Sequence, residues 1–203
     1  HEVHLWSGEA WITERSGPNT LRIRPKAFYQ TNPEQAVRLY ETAVALTELR
    51  PTDRVFDLYS GIGSIALFIA RSVASVVGVE SISDAVSSAR ENAELNGITN
   101  VAFEEGEVET VLPEVVTRHG MPDLVVLDPP RAGLHPGARK TLREIAPERI
   151  LYISCNPRTQ ATDIAELGDL YRVTALQPVD MFPQTRHVEN IAVLERRESP
   201  AGQ

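Results

Sequence analysis

The chain has 203 residues, 42% hydrophobic and 24% charged, which suits one globular domain with a full core. No stretch approaches the roughly 18 apolar residues of a membrane span and no signal-peptide pattern is present, so the cytoplasm is the expected compartment. A single cysteine excludes an internal disulfide framework and an all-cysteine metal or iron–sulfur site, and the formal net charge of -8 is unfavourable for a polyanion ligand.

The chain opens on His1, as a piece of a longer protein would. Residues 11–24 alternate and predict a hairpin turning at Gly17-Pro18-Asn19, so 1–27 reads as an extension left from an upstream region. Asn32-Pro33-Glu34-Gln35 is a helix start: Asn caps, Pro takes the first position and Gln the third. Val37, Tyr40, Val44 and Leu49 carry that helix toward Pro51.

From there a βα pattern repeats. Strands are predicted at 54–58, 76–79, 101–103, 124–127 and 150–153, and helices at 64–71, 84–96, 108–118, 136–145 and 157–167. The run Leu124-Val125-Val126-Leu127 is too continuously apolar for a sheet with one wet face. Two last strands, at 171–176 and 190–195, are expected to pair antiparallel at the sheet edge across a Pro-Gln-Thr link. The fold class is therefore α/β, a doubly wound three-layer sandwich over 28–197 with a seven-stranded, mostly parallel sheet. Residues 198–203 read as a disordered tail.

Ligands in such sheets bind beyond the carboxyl ends of the strands, and four motifs fall there. Gly61-Ile62-Gly63 joins a strand to a helix, and Glu80 ends the next strand, 19 positions after Gly61, where a ribose diol would be held. This predicts a nucleoside-containing cofactor, either NAD or S-adenosylmethionine. Asp128-Pro129-Pro130-Arg131 follows the fourth strand, and its two prolines stiffen the chain as it leaves the sheet. An acidic residue before two prolines at this place resembles methyltransferases that act on planar nitrogenous groups, which favours S-adenosylmethionine.

A lone cysteine is usually a small buried hydrophobe. Cys155, however, lies after an apolar strand, before the Asn156-Pro157 turn and a helix start, where the helix dipole and Arg158 would favour a thiolate. Glu189, in Arg186-His187-Val188-Glu189, is a carboxylate base candidate, with His187 its rival. Charge is segregated as well. The acids from Glu80 to Glu114 face Arg90 alone, whereas Arg131, Arg139, Lys140, Arg143, Arg149 and Arg158 bracket Cys155 against Glu144 and Glu148. Arg131 and Arg158 are thus candidate phosphate contacts.

These motifs, in this order, resemble the RNA uracil-5-methyltransferases, which make 5-methyluridine in transfer or ribosomal RNA. The resemblance covers roughly residues 28–194. It implies cofactor contacts at Gln30 (in Phe28-Tyr29-Gln30-Thr31-Asn32), Tyr59, Gly61, Gly63, Ser64, Glu80 and Asp128. Ser64 departs from the Asn or Thr of many members. The resemblance also implies Cys155 as nucleophile, Glu189 as base and Asp128 as clamp on the ring, with S-adenosylmethionine as cofactor and RNA as partner. Full-length members carry an upstream RNA-binding domain, and some carry an iron–sulfur cluster; this chain corresponds to the catalytic domain. Two other functions stay open on the residues: N-methylation of a nucleobase amino group with Cys155 structural, and a cofactor-binding module without catalysis.

Overall fold

The computed structural model describes residues 4, 6–25 and 27–198. A hairpin comes first, β1 (Ile12–Ser16) and β2 (Asn19–Ile23), followed by α1 (Pro33–Thr47). Then β3 (Arg54–Leu58), α2 (Ser64–Ile69) with a 3-10 turn at Ala70–Ser72, β4 (Ser75–Glu80), α3 (Ser83–Leu95), β5 (Val101–Glu105) and α4 (Val108–His119) alternate. They are followed by β6 (Leu124–Leu127), α5 (Pro136–Ile145), β7 (Arg149–Ser154), α6 (Pro157–Leu167), β8 (Tyr171–Val179) and β9 (Glu189–Arg196).

The sheet order is β5-β4-β3-β6-β7-β9-β8, with β3 to β7 parallel and the last two strands antiparallel. Alternate residues of the same strands feed two cores. Val55, Val126, Leu151 and Ile191 pack with α1 to α3, while Phe56, Val125, Tyr152 and Leu194 pack with α4 to α6. That double coverage is what the continuous apolar run at 124–127 demanded, and all four of its residues are buried.

Caps set most boundaries. The Asn32 side chain accepts from Gln35 N, and the Asn156 side chain accepts from Arg158 N. The first helix ends earlier than expected, at Thr47, because Glu48 takes a left-handed conformation with φ of 51°. The last pair is longer than expected: β8 runs on to Val179 through Pro178, and residues 180–188, rather than a brief link, join it to β9. An edge strand tolerates proline because one flank needs no donor. The expected tail from 199 onward lies outside the described residues.

The hairpin is fastened by two asparagines four residues apart on α3. Asn96 Oδ1 accepts from Thr20 N and its Nδ2 donates to Thr20 O, both at 2.8 Å. Asn92 Oδ1 accepts from Arg22 N at 2.8 Å, and its Nδ2 donates to Arg22 O and to Ile62 O, both at 3.3 Å. Two side-chain amides thus satisfy one edge of β2 as a neighbouring strand would. Leu21 and Ile23 are buried in the same core as α1 to α3, and Arg24 pairs with Glu91 at 2.7 Å. Asn92 therefore couples the hairpin to the glycine turn. Asn92→Ala leaves one buried and two part-buried backbone groups without this partner and should lower unfolding stability by about 2 kcal/mol; a loss under about 0.5 kcal/mol by chemical denaturation would contradict this role.

Candidate active site

Strand direction brings the motifs together. Tyr59 follows β3, Glu80 ends β4, Asp128 follows β6 and Cys155 follows β7, so all four lie at the carboxyl edge of the parallel strands. Because β9 runs the other way, its first residue, Glu189, reaches the same edge. The last β7–β9 pair is Ser154 with Asn190, and continuing that register sets Cys155 beside Glu189. The strand order reverses between β3 and β6, which places the glycine turn and Asp128 on either side of the switch point.

The glycine turn is preformed. Tyr59 N and Ser60 N both donate to Val79 O, at 2.9 and 3.0 Å, which bends the chain over β4. Tyr59 takes a φ of 67°, unusual for a side-chain-bearing residue. Its ring packs against the α4–α6 core, so what Tyr59 contributes to the turn is chiefly its backbone. Gly61 has a φ of 54°, and a Cβ there would meet nothing within 4 Å, so its backbone is open to a ligand. At Gly63, with φ of 83°, a Cβ would meet Phe103 at 2.9 Å, so that glycine serves packing.

Glu80 is held by Gly61 N on Oε2 at 2.9 Å and by Ile82 N on Oε1 at 2.8 Å. Oε1 also accepts from Ser81 Oγ at 3.5 Å, whereas Oε2 keeps a lone pair for a diol contact. Asp57 Oδ1, the Tyr59 hydroxyl and Ser60 Oγ are buried without hydrogen-bond partners, three unsatisfied groups within four residues of the turn. Ser64 lies beside Tyr40 of α1, and Gln30 lines a cavity with Tyr29, Thr31 and Asp84 whose lining does not include the glycine turn, Glu80 or Asp128.

The cleft is rich in acids. Burial, then the Asp128 charge, pushes Asp57 up to about 8, although Ala66 N donates to it at 3.0 Å. Burial, reinforced by Glu189, pushes Asp128 up to about 7, and burial raises Glu189 while Arg131 opposes. Such a site favours a cationic ligand, whose charge would restore these carboxylates to their ionised forms. The donor set, an open glycine backbone beside Glu80 and an excess of acids, fits a nucleoside bearing a positive centre.

Cys155 is half-buried at this edge, and here the electrostatics correct the sequence reading. Burial, then Glu189 and Asp128, raises the thiol above its usual range, and the cation that opposes them is Arg131. Arg158 is exposed on the first turn of α6, its backbone engaged with Asn156. Arg131 instead reaches toward β9, with Nη2 3.1 Å from His187 Nδ1. A guanidinium can only donate, so His187 accepts there and orients Arg131.

Several positions that spacing could not reveal hold the loops. Asn156 Nδ2 donates to Arg131 O at 3.0 Å, and Thr159 Oγ1 to the same oxygen at 3.3 Å, which ties the Asp-Pro-Pro-Arg loop to the cysteine turn. Asp163 accepts from Tyr152 Oη at 2.7 Å, Leu134 N at 2.9 Å and Arg139 Nη1 at 2.8 Å. Asn32 Nδ2 donates to Met181 O at 2.9 Å, joining the Gln30 segment to the link before Glu189.

The alkylation of Cys155 by iodoacetamide should rise only above the roughly 8.5 of a free thiol. Glu189→Gln should move that profile to lower pH and Arg131→Ala to higher pH. A wild-type midpoint below about 8 would contradict the acidic surroundings described for the sulfur.

Comparison with known proteins agrees with this geometry. A family model described as tRNA (Uracil-5-)-methyltransferase matches residues 18–197. An uncharacterized RNA methyltransferase of Bacteroides thetaiotaomicron is 43% identical over 197 residues, covering 97% of this chain and 43% of its own. Another, from Chlorobaculum tepidum, is 44% identical over 200 residues, covering 97% and 41%. The crystal structure of Pyrococcus abyssi tRNA (uracil-54, C5)-methyltransferase in complex with S-adenosyl-L-homocysteine superposes with a TM-score of 0.80 at 36% identity, over 93% of this chain and 45% of that one. The M. jannaschii tRNA m1G37 methyltransferase shares the fold at a TM-score of 0.69 and 12% identity. The chain spans less than half the length of the relatives it matches at 36–44% identity. With residues 18–197 matched, the chain belongs to the tRNA (uracil-5-)-methyltransferase family.

Proposed function

We propose that this chain carries the catalytic centre of an S-adenosylmethionine-dependent methylation at carbon 5 of a uridine in RNA. The observation that carries the reading is the β7–β9 register, which continued by one residue sets a thiol and a carboxylate side by side, with Asp128 just past the end of the adjoining strand. S-adenosylmethionine, held along Gln30, the Gly61 turn, Glu80 and Asp128, supplies the electrophilic methyl group when bound. The open Gly61 backbone, the diol-ready Glu80 and the excess of acids support a cofactor that is both a nucleoside and a cation.

Carbon 5 of uracil is a poor nucleophile. Addition of the Cys155 sulfur at carbon 6 breaks the 5,6 double bond and moves its electron pair into an enolate, so that carbon 5 becomes nucleophilic. Asp128, poised to about 7, can donate to or accept from the polar edge of the ring. After methylation Glu189 removes the carbon 5 proton, the double bond re-forms, and the carbon–sulfur bond breaks to release the thiolate. Arg131 opposes the acids around both Cys155 and Glu189, which favours the thiolate during addition and elimination.

The thiol must reach the face of the ring, so the uridine has to leave any stack. The net charge of -8 is unsuited to gripping RNA unaided, and the additional length of the relatives is the proposed source of further RNA contacts, in the cytoplasm. Arg131 and Arg158 remain candidate phosphate contacts.

Labelled cofactor and unmodified total RNA test the reading, with nucleosides resolved by mass spectrometry. Cys155→Ala should abolish formation of 5-methyluridine. Glu189→Gln should slow turnover roughly 10²–10⁴-fold and leave a covalent RNA–protein adduct. Full turnover by Cys155→Ala, or a methyl found on a base amino group, would refute the mechanism.

A further inference from the structure

We propose that Gln160, on the inner face of α6, is the positioning residue that sets Glu189 against Cys155. The inference rests on the reading of Cys155 as nucleophile and Glu189 as base. Gln160 is 1% exposed, and its amide makes three hydrogen bonds. Its Nε2 donates to Tyr152 O on β7 at 2.8 Å and to Asn190 O on β9 at 3.1 Å, while its Oε1 accepts from Asn190 Nδ2 at 2.6 Å. One side chain thus spans three elements at the level of the reactive pair.

The place matters because this end of β9 is paired on one flank only at Glu189, which faces Val179 of β8. Glu189 is the first residue of the strand, and Ser154–Asn190 is its last pair with β7. On the other flank the residue across from Asn190 is Pro178, which has no N–H to donate. Gln160 supplies a donor to the Asn190 carbonyl and binds the Asn190 side chain as well. The same helix begins at Asn156, next to Cys155, so the clasp joins the start of the base strand to the helix that carries the thiol turn. Gln160 touches neither substrate nor cofactor in this scheme; it acts through Glu189.

Two RNA probes separate positioning from simple structural support. With uridine RNA, turnover needs proton removal from carbon 5. With 5-fluorouridine RNA, fluorine replaces that proton, so trapping reports thiol addition and methyl transfer without the base step. Gln160→Met should lower turnover on uridine RNA roughly 10- to 100-fold, with KM for RNA and cofactor and the rate of 5-fluorouridine trapping within about twofold. The methylated adduct should then accumulate on uridine RNA. If trapping and turnover fall together, or if cofactor binding is lost in proportion, the residue is structural and the proposal fails; unchanged turnover also refutes it. Should Gln160→Met not fold, Asn190→Ala, which keeps the two main-chain bonds of Gln160, carries the same test and the same expected split. Failure of the wild-type protein to be trapped by 5-fluorouridine RNA would refute the covalent reading itself, a result distinct from any behaviour of Gln160.

Discussion

One helix, α6, holds the cleft in shape. Its capping Asn156 grips the carbonyl of Arg131, Gln160 grips β7 and β9, and Asp163 grips Leu134 N and the Tyr152 hydroxyl. The loop after β6, the turn after β7 and the start of β9 are therefore fixed against a common support. Each such bond contributes only about 0.5–1.5 kcal/mol net to stability, but leaving a buried partner unsatisfied costs more. Their larger value is geometric, since chemistry between a thiol and a base depends on placement within about an ångström. Gly133 shows how tight the support is, because a Cβ there would come within 2.7 Å of the Asp163 carboxylate.

The second constraint is electrostatic. Asp57, Glu80, Asp128 and Glu189 occupy one sheet edge, with Arg131 as the cation that opposes Glu189 and Cys155. A site of this kind is poorly satisfied until a positive ligand arrives. It also restrains Cys155, since burial, then the carboxylates that suit such a ligand, raises the thiol above its usual range. Reactivity is thereby tied to the charge state of the whole cleft and not to the cysteine turn alone.

The fold was largely legible in the sequence because its signals are local. Asn32-Pro33 and Asn156-Pro157 announce helix starts, and the unbroken run at 124–127 announces a strand covered on both faces. The motifs at strand ends were legible for the same reason, and topology then gathered them. What escaped were residues whose meaning lies in distant partners. Gln160 and Asp163 look like ordinary polar positions of a helix, Asn92 and Asn96 like its solvated face, and Tyr40 like a core aromatic, although its hydroxyl lies near Asp57 and Asp128. The thiol was misjudged because its sequence neighbour, Arg158, is basic, whereas burial, then Glu189 and Asp128, raises it and Arg131 opposes. The extent of β8 beyond residue 176 escaped because Pro178 cannot donate to a ladder, and only the open edge makes it tolerable.

The most direct examination of the central claim, that the Cys155 sulfur is the atom that attacks the base, is peptide mapping after reaction with 5-fluorouridine RNA and S-adenosylmethionine. Digestion with nuclease and trypsin should leave a methylated, fluorinated nucleotide on peptide 150–158, attached at Cys155. A nucleotide attached at another residue, or methylation of RNA with no attachment to the protein, would contradict the account.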